Sequence, residues 1–183
     1  MELQEVSMET VSKKIRVSIN KKEQRIDLLQ AYGKDIMDSV NFKQSANHAQ
    51  HGTMSVYHHS INVANYSLAW NHFFRLGAQD KDLIRGALLH DYFLYDWHTT
   101  SHAKLHSFFH PGIALQNACA EYELTEREKD IIKKHMWPLT VIPPLCREAW
   151  IVTLADKYCS FLETIRIHNR KYTQDVKNSW QIY

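Results

Sequence analysis

The 183-residue sequence predicts an all-α, single-domain helical bundle. Three observations carry that prediction. Apolar residues recur at helical spacing, as in Ile26, Leu29, Ile36 and Val40. Only five glycines and four prolines are present, which leaves little material for tight turns and favours long helices. No stretch alternates apolar and polar residues convincingly enough to read as a strand.

The elements follow in order. Residues 1–24 are polar and charged and read as a tail or a peripheral helix, leaving 25–183 as the folded domain. A helix is expected over 25–40. The polar stretch NFKQSANHAQHGTMS, residues 41–55, reads as a loop. A long helix then runs from Val56 to Leu76 and stops at Gly77. The next starts at Asp80 or Asp82, since acidic residues suit a helix N-terminus, and carries LIRGALLHDYF. Residues 96–110 are histidine-rich and irregular. Pro111 is expected at the first position of a helix over 111–122, where a missing N–H does no harm. Thr125 and Glu128 form a capping box for a helix that Pro138 ends. VIPPLC is a turn, and a last helix is expected over 144–168.

Composition narrows the function. The formal net charge is +2, so neither a nucleic-acid groove nor a membrane-surface patch is indicated. No stretch approaches the ~18 apolar residues of a membrane span. The N-terminus MELQEVSMETVSKK lacks the apolar core of a signal peptide. Cys119, Cys146 and Cys159 are odd in number and form no C-x-x-C, which argues against a disulfide framework and for a reducing cytoplasm. Each reads as a small buried apolar residue. Histidine, by contrast, is abundant at 12 residues, and it is a common metal ligand.

Several polar residues fall on apolar helix faces. His59 shares a face with Val56, Val63, Tyr66 and Trp70. His90 and Asp91 follow Leu83, Ala87 and Leu88. His110 precedes Pro111, His135 follows Ile131 and Ile132, and Asp156 lies between Val152 and Cys159. A single inward histidine is more often a satisfied core residue than a ligand. Six polar groups from five segments are hard to explain without a shared centre, because burying them costs free energy unless they find partners. Imidazoles and carboxylates together suit a divalent transition metal: Fe or Mn first, with Zn, Ni or Co as alternatives. A bundle interior is where helices can present such groups to one point.

The order His59, His90-Asp91, Asp156, with the flanking text HSINVA, GALLHD and VTLADKYC, resembles the HD-domain superfamily of metal-dependent phosphohydrolases. The extra histidines, His110 in HPGIAL and His135 in IIKKHMWP, match positions that make some members dinuclear. The resemblance covers residues 55–165 and implies an HD-type helical domain. It implies that His59, His90, Asp91 and Asp156 hold a first metal, and that Asp91 bridges to a second completed by His110 and His135. A metal-activated water would then attack phosphorus. Cyclic-di-GMP phosphodiesterases of the superfamily carry a Gly-Tyr-Pro motif after the fourth site. Met136-Trp137-Pro138 stands after His135 here, which argues against that activity.

Beyond the ligands, Asp91, His106 and Lys157 are the candidate catalytic residues, the last two as contacts for the substrate phosphate. Arg85 and Lys104 are weaker candidates, and Asp96 could orient a ligand histidine. His58 is expected to be a non-ligand. Tyr92, Phe93, Tyr95 and Trp97 are expected to pack in the core rather than stack on a base. The expected partners are a small phosphate ester, a nucleotide first among them, and a second copy of the chain. The alternative is a non-catalytic helical module whose metal has a structural or sensing role.

Overall fold

The computed structural model describes residues 21–51, 54–94 and 106–164, with only the backbone described at 49–51, 106 and 107. Within them the chain is the all-α bundle that its periodicity predicts. Helix α1 covers 21–38. It is followed by α2 (Val40–Gln44), α3 (Val56–Phe73), α4 (Asp80–Leu89), α5 (His106–Glu121), α6 (Glu126–Lys134) and α7 (Arg147–Thr164). Of the tail or peripheral helix expected over 1–24, residues 21–24 form the first turn of α1, and 1–20 lie outside the described residues.

Helix α3 is central. It is buried on nearly every side, from Val56 and Ile61 through Val63, Ala64 and Leu68. A helix buried all round belongs to the core rather than the surface. It packs on α4 and α7, and α4 and α7 both pack on α6. The shared core includes Leu29, Ile36, Ile61, Leu83, Leu88, Ile131, Val152, Ala155 and Cys159.

Two glycines set how closely helices approach. A Cβ on Gly86 of α4 would collide with the side chain of Ile131 on α6. A Cβ on Gly33 of α1 would meet Leu88 and Ile84 of α4. Each glycine gives up some helix propensity so that two backbones can come together. The α4–α6 approach matters most, because both helices end at the metal-ligand candidates.

The structure departs from these expectations in six places. The 41–55 stretch is not a plain loop. Ser39 caps α2 by accepting from the Phe42 N–H, and the Phe42 ring is buried. A 3-10 turn (Ser45–Asn47) follows, then a small antiparallel ribbon of β1 (Ala49–His51) and β2 (Met54–Ser55). Val40, expected on an apolar face, is exposed.

Helix α3 stops at Phe73, not Leu76. Arg75 takes the left-handed conformation, with φ 55°, and the Leu76 N–H returns to the Asn71 carbonyl. Helix α4 stops at Leu89, so His90 and Asp91 are not mid-helix. The Tyr92 N–H donates to Leu89 and the Phe93 N–H to Asp91, which turns the chain away.

Helix α5 starts at His106, so Pro111 lies inside it rather than at its first position. The cost of an internal proline is one lost backbone hydrogen bond, and here it falls within two turns of the helix start. Finally, of the three cysteines only Cys159 is buried. Cys146 is half-buried and Cys119 faces solvent on α5. The capping box at Thr125 and Glu128 is present as expected.

Candidate metal centre

All six inward polar residues converge at one place. None of His59, His90, Asp91, His110, His135 and Asp156 is more than 7% exposed. Two groups of three, His59–His90–Asp91 and Asp91–His110–His135, each bring their donor atoms within 4.8 Å of one another. Each of these buried His/Asp groups could hold a metal ion.

Asp91 stands between the groups. Its Oδ2 lies 3.3 Å from His90 Nε2 and 3.8 Å from His59 Nε2. Its Oδ1 lies 3.1 Å from His110 Nε2 and 3.5 Å from His135 Nε2. Asp156 completes the first side, with Oδ1 3.1 Å from His59 Nε2 and 3.8 Å from His90 Nε2. On the second side His110 Nε2 and His135 Nε2 are 2.8 Å apart. Two imidazole nitrogens that close need either a proton between them or a cation in front of both lone pairs.

The backbone supplies the aim. His90 caps the C-terminus of α4, and its Nδ1 contacts the Ala87 carbonyl at 2.7 Å. His135 caps the C-terminus of α6, and its Nδ1 contacts the Ile132 carbonyl at 2.9 Å. The same device is used twice. A capping imidazole satisfies a carbonyl that the helix end leaves open, and this turns Nε2 towards the centre. It also brings the negative ends of two helix dipoles to a place that could take a cation.

The electrostatics agree with a cation site. Burial would push the Asp91 and Asp156 carboxyls up, yet the surrounding imidazoles hold both well below the carboxylate range. Burial opposes charge on His90 as well, but Asp91 and Asp156 outweigh it and raise that imidazole to about 9. His59 is raised well above its ordinary value against the same burial, by Glu163 and Asp156. His135 is lowered, chiefly by burial. His90 Nε2 is buried and, although Asp91 Oδ2 lies 3.3 Å away, makes no well-formed hydrogen bond with any described residue. A donor set of imidazoles and carboxylates around an orphaned imidazole nitrogen fits a divalent transition metal.

The other candidates divide. Lys157 is half-buried and its ammonium donates to the His135 carbonyl at 3.0 Å. Arg85 faces away from the centre and pairs with Asp35 of α1 at 2.7 Å and Glu128 of α6 at 3.2 Å. His58 turns its Nδ1 to Ser55 Oγ at 2.7 Å and belongs to neither group of three. Tyr92 and Phe93 are buried in the core. The His106 side chain, Tyr95, Asp96, Trp97 and Lys104 lie outside what is described.

Sequence reasoning missed one residue. Glu163 is buried on α7, and its Oε2 meets His59 Nδ1 at 2.8 Å. The signal was present: Glu163 follows Asp156 by seven residues, two helical turns along one face, with buried Cys159 between them.

Among the described residues no helix is long and apolar enough to cross a membrane. No protein-family model, curated protein or solved structure matches the chain.

Proposed function

We propose that the chain is a metal-dependent phosphohydrolase of the HD-domain type, cleaving a phosphate ester of a nucleotide or another small phosphorylated metabolite. The observation that carries this reading is the Asp91 carboxylate, whose two oxygens face two separate pairs of histidines. His59, His90, Asp91 and Asp156 would hold one divalent ion, and Asp91, His110 and His135 a second. Fe or Mn fits these donors first, then Zn, Ni or Co. Ions held there supply an activated water and neutralise charge that builds up on phosphoryl oxygens.

The chain's own residues do the rest. Ala87, Ile132 and Glu163 fix the imidazoles through Nδ1, so that each Nε2 is aimed before any ligand arrives. Burial of the donors excludes bulk water and strengthens every charge interaction inside. Lys157 ties α7 to the end of α6 through the His135 carbonyl, and its ammonium keeps further N–H donors for a substrate phosphate.

Protein loaded with Mn(II), or with Fe(II) under reducing conditions, tests the reading against nucleoside phosphates, cyclic nucleotides and phosphomonoesters. Metal-dependent phosphate release that Asp91→Asn abolishes is the expected result. Bound metal with no release from any ester counts against it.

The near-complete burial of His59, His90 and His135 favours a second reading, a closed metal site that stabilises the bundle or senses metal. Phosphate added to Co(II)-loaded protein separates the two. A change in the visible spectrum requires an open coordination position, which a closed structural site lacks.

A further inference from the structure

Glu163 lies near the end of α7 with its side chain wholly buried. A buried carboxylate is costly unless it is paired. Its Oε2 is spent on His59 Nδ1, and its Oε1 is buried without a hydrogen bond to any described residue. The other two imidazoles anchored at Nδ1 are backed differently, His90 by the Ala87 carbonyl and His135 by the Ile132 carbonyl. A carboxylate behind a ligand imidazole adds negative charge and raises ligand basicity. A neutral carbonyl fixes the ring but brings no net charge.

The two sides of Asp91 therefore differ in charge. The His59 side gathers Asp156, Asp91 Oδ2 and, behind His59, Glu163. Among the described residues, the carboxylate oxygen that meets the His110 side is Asp91 Oδ1. We propose that Glu163 is a positioning residue that fixes the order of metal loading. Acting through His59, it makes the Asp156 side take its ion first and leaves the His110–His135 side to fill second. This rests on the proposed metal centre and not on phosphohydrolase chemistry.

Glu163→Gln keeps the shape and an acceptor for the imidazole N–H but removes the charge. Glu163→Ala removes both. Metal-free protein is titrated with Mn(II) by calorimetry and with Co(II) by visible absorption, and the tautomer of His59 is read by nitrogen-15 NMR of protein loaded with diamagnetic Zn(II). Wild type is expected to take two ions in separate steps. Glu163→Gln weakens the first step about 10–100-fold and leaves the second, so the steps merge, while the His59 tautomer is kept. Glu163→Ala gives the same weakening and loses the fixed tautomer.

An unchanged first step in Glu163→Gln overturns the proposal. So does an equal loss in both steps, or a wild type whose two ions bind without distinction. The two ideas fail separately. The predicted shift with no ester hydrolysis keeps the role of Glu163 and removes the proposed activity. An unchanged first step in a chain that hydrolyses esters does the reverse.

Discussion

The two sides of Asp91 are built from different parts of the fold. His59 sits in the first turn of α3 and Asp156 midway along α7, two helices that pack directly on each other and carry Ile61, Val63, Val152 and Ala155 in the core. His110 and His135 come from α5 and from the end of α6, farther from the central helix. The first side has two carboxylates within 4 Å of its imidazoles and a third behind His59. The second has one. Direct packing on the central helix and negative charge thus coincide, among the described residues, on the first side. That is the arrangement expected when one ion is anchored and the other is held more loosely.

The sharpest way to break this comparison is a pair of truncations. His59→Ala should strip the Asp156 side, and elemental analysis after gel filtration should find metal content collapsed. His135→Ala should leave that side intact, with one ion retained per chain. Equal losses from the two variants would make the sides equivalent.

A change away from the ligands tests whether the spacing of α4 and α6 couples the sides. Gly86→Ala places a methyl group against Ile131, whose own Cβ is part of the collision. Overpacking of this kind typically costs about 1–3 kcal/mol. The His90 and His135 rings, with centroids 4.9 Å apart, hang from the ends of those two helices. Chemical denaturation should show the lost stability, and metal titration should show both steps weakened. Lost stability with both affinities intact would uncouple the helix spacing from the centre.

The smallest expected effect is graded with pH. In the metal-free chain the carboxylates hold His90 up at about 9 and His59 well above its ordinary value, against burial. An ion entering the Asp156 side must displace those protons, so acid competes with it. Affinity on that side should rise with pH from neutrality to about 9. On the other side His135 is already lowered, chiefly by burial, so its dependence over the same range should be flatter. Calorimetry across that range, in buffers of different ionisation enthalpy, reads both the affinity and the protons released.

Much of this was legible in the residues. The capping box at Thr125 and Glu128 was readable because both partners lie within one turn. The six convergent residues were readable because each interrupts an apolar face, and a buried polar group needs a reason. What stayed hidden depends on contacts between segments. Nothing local says that α4 ends at Leu89 rather than running on through Tyr92. That ending is decided by the turn at Tyr92 and Phe93 and by where His90 finds the Ala87 carbonyl. Pro111 reads as a helix start by local rule, yet α5 begins five residues earlier. Glu163 was missed because its partner, His59, is 104 residues away.

The most direct test of the centre is element-resolved anomalous diffraction from crystals grown with Mn(II). Two peaks are expected, one beside Asp91 Oδ2 in reach of His59, His90 and Asp156, the other beside Asp91 Oδ1 in reach of His110 and His135. Saturating metal with no peak between these side chains would contradict the account.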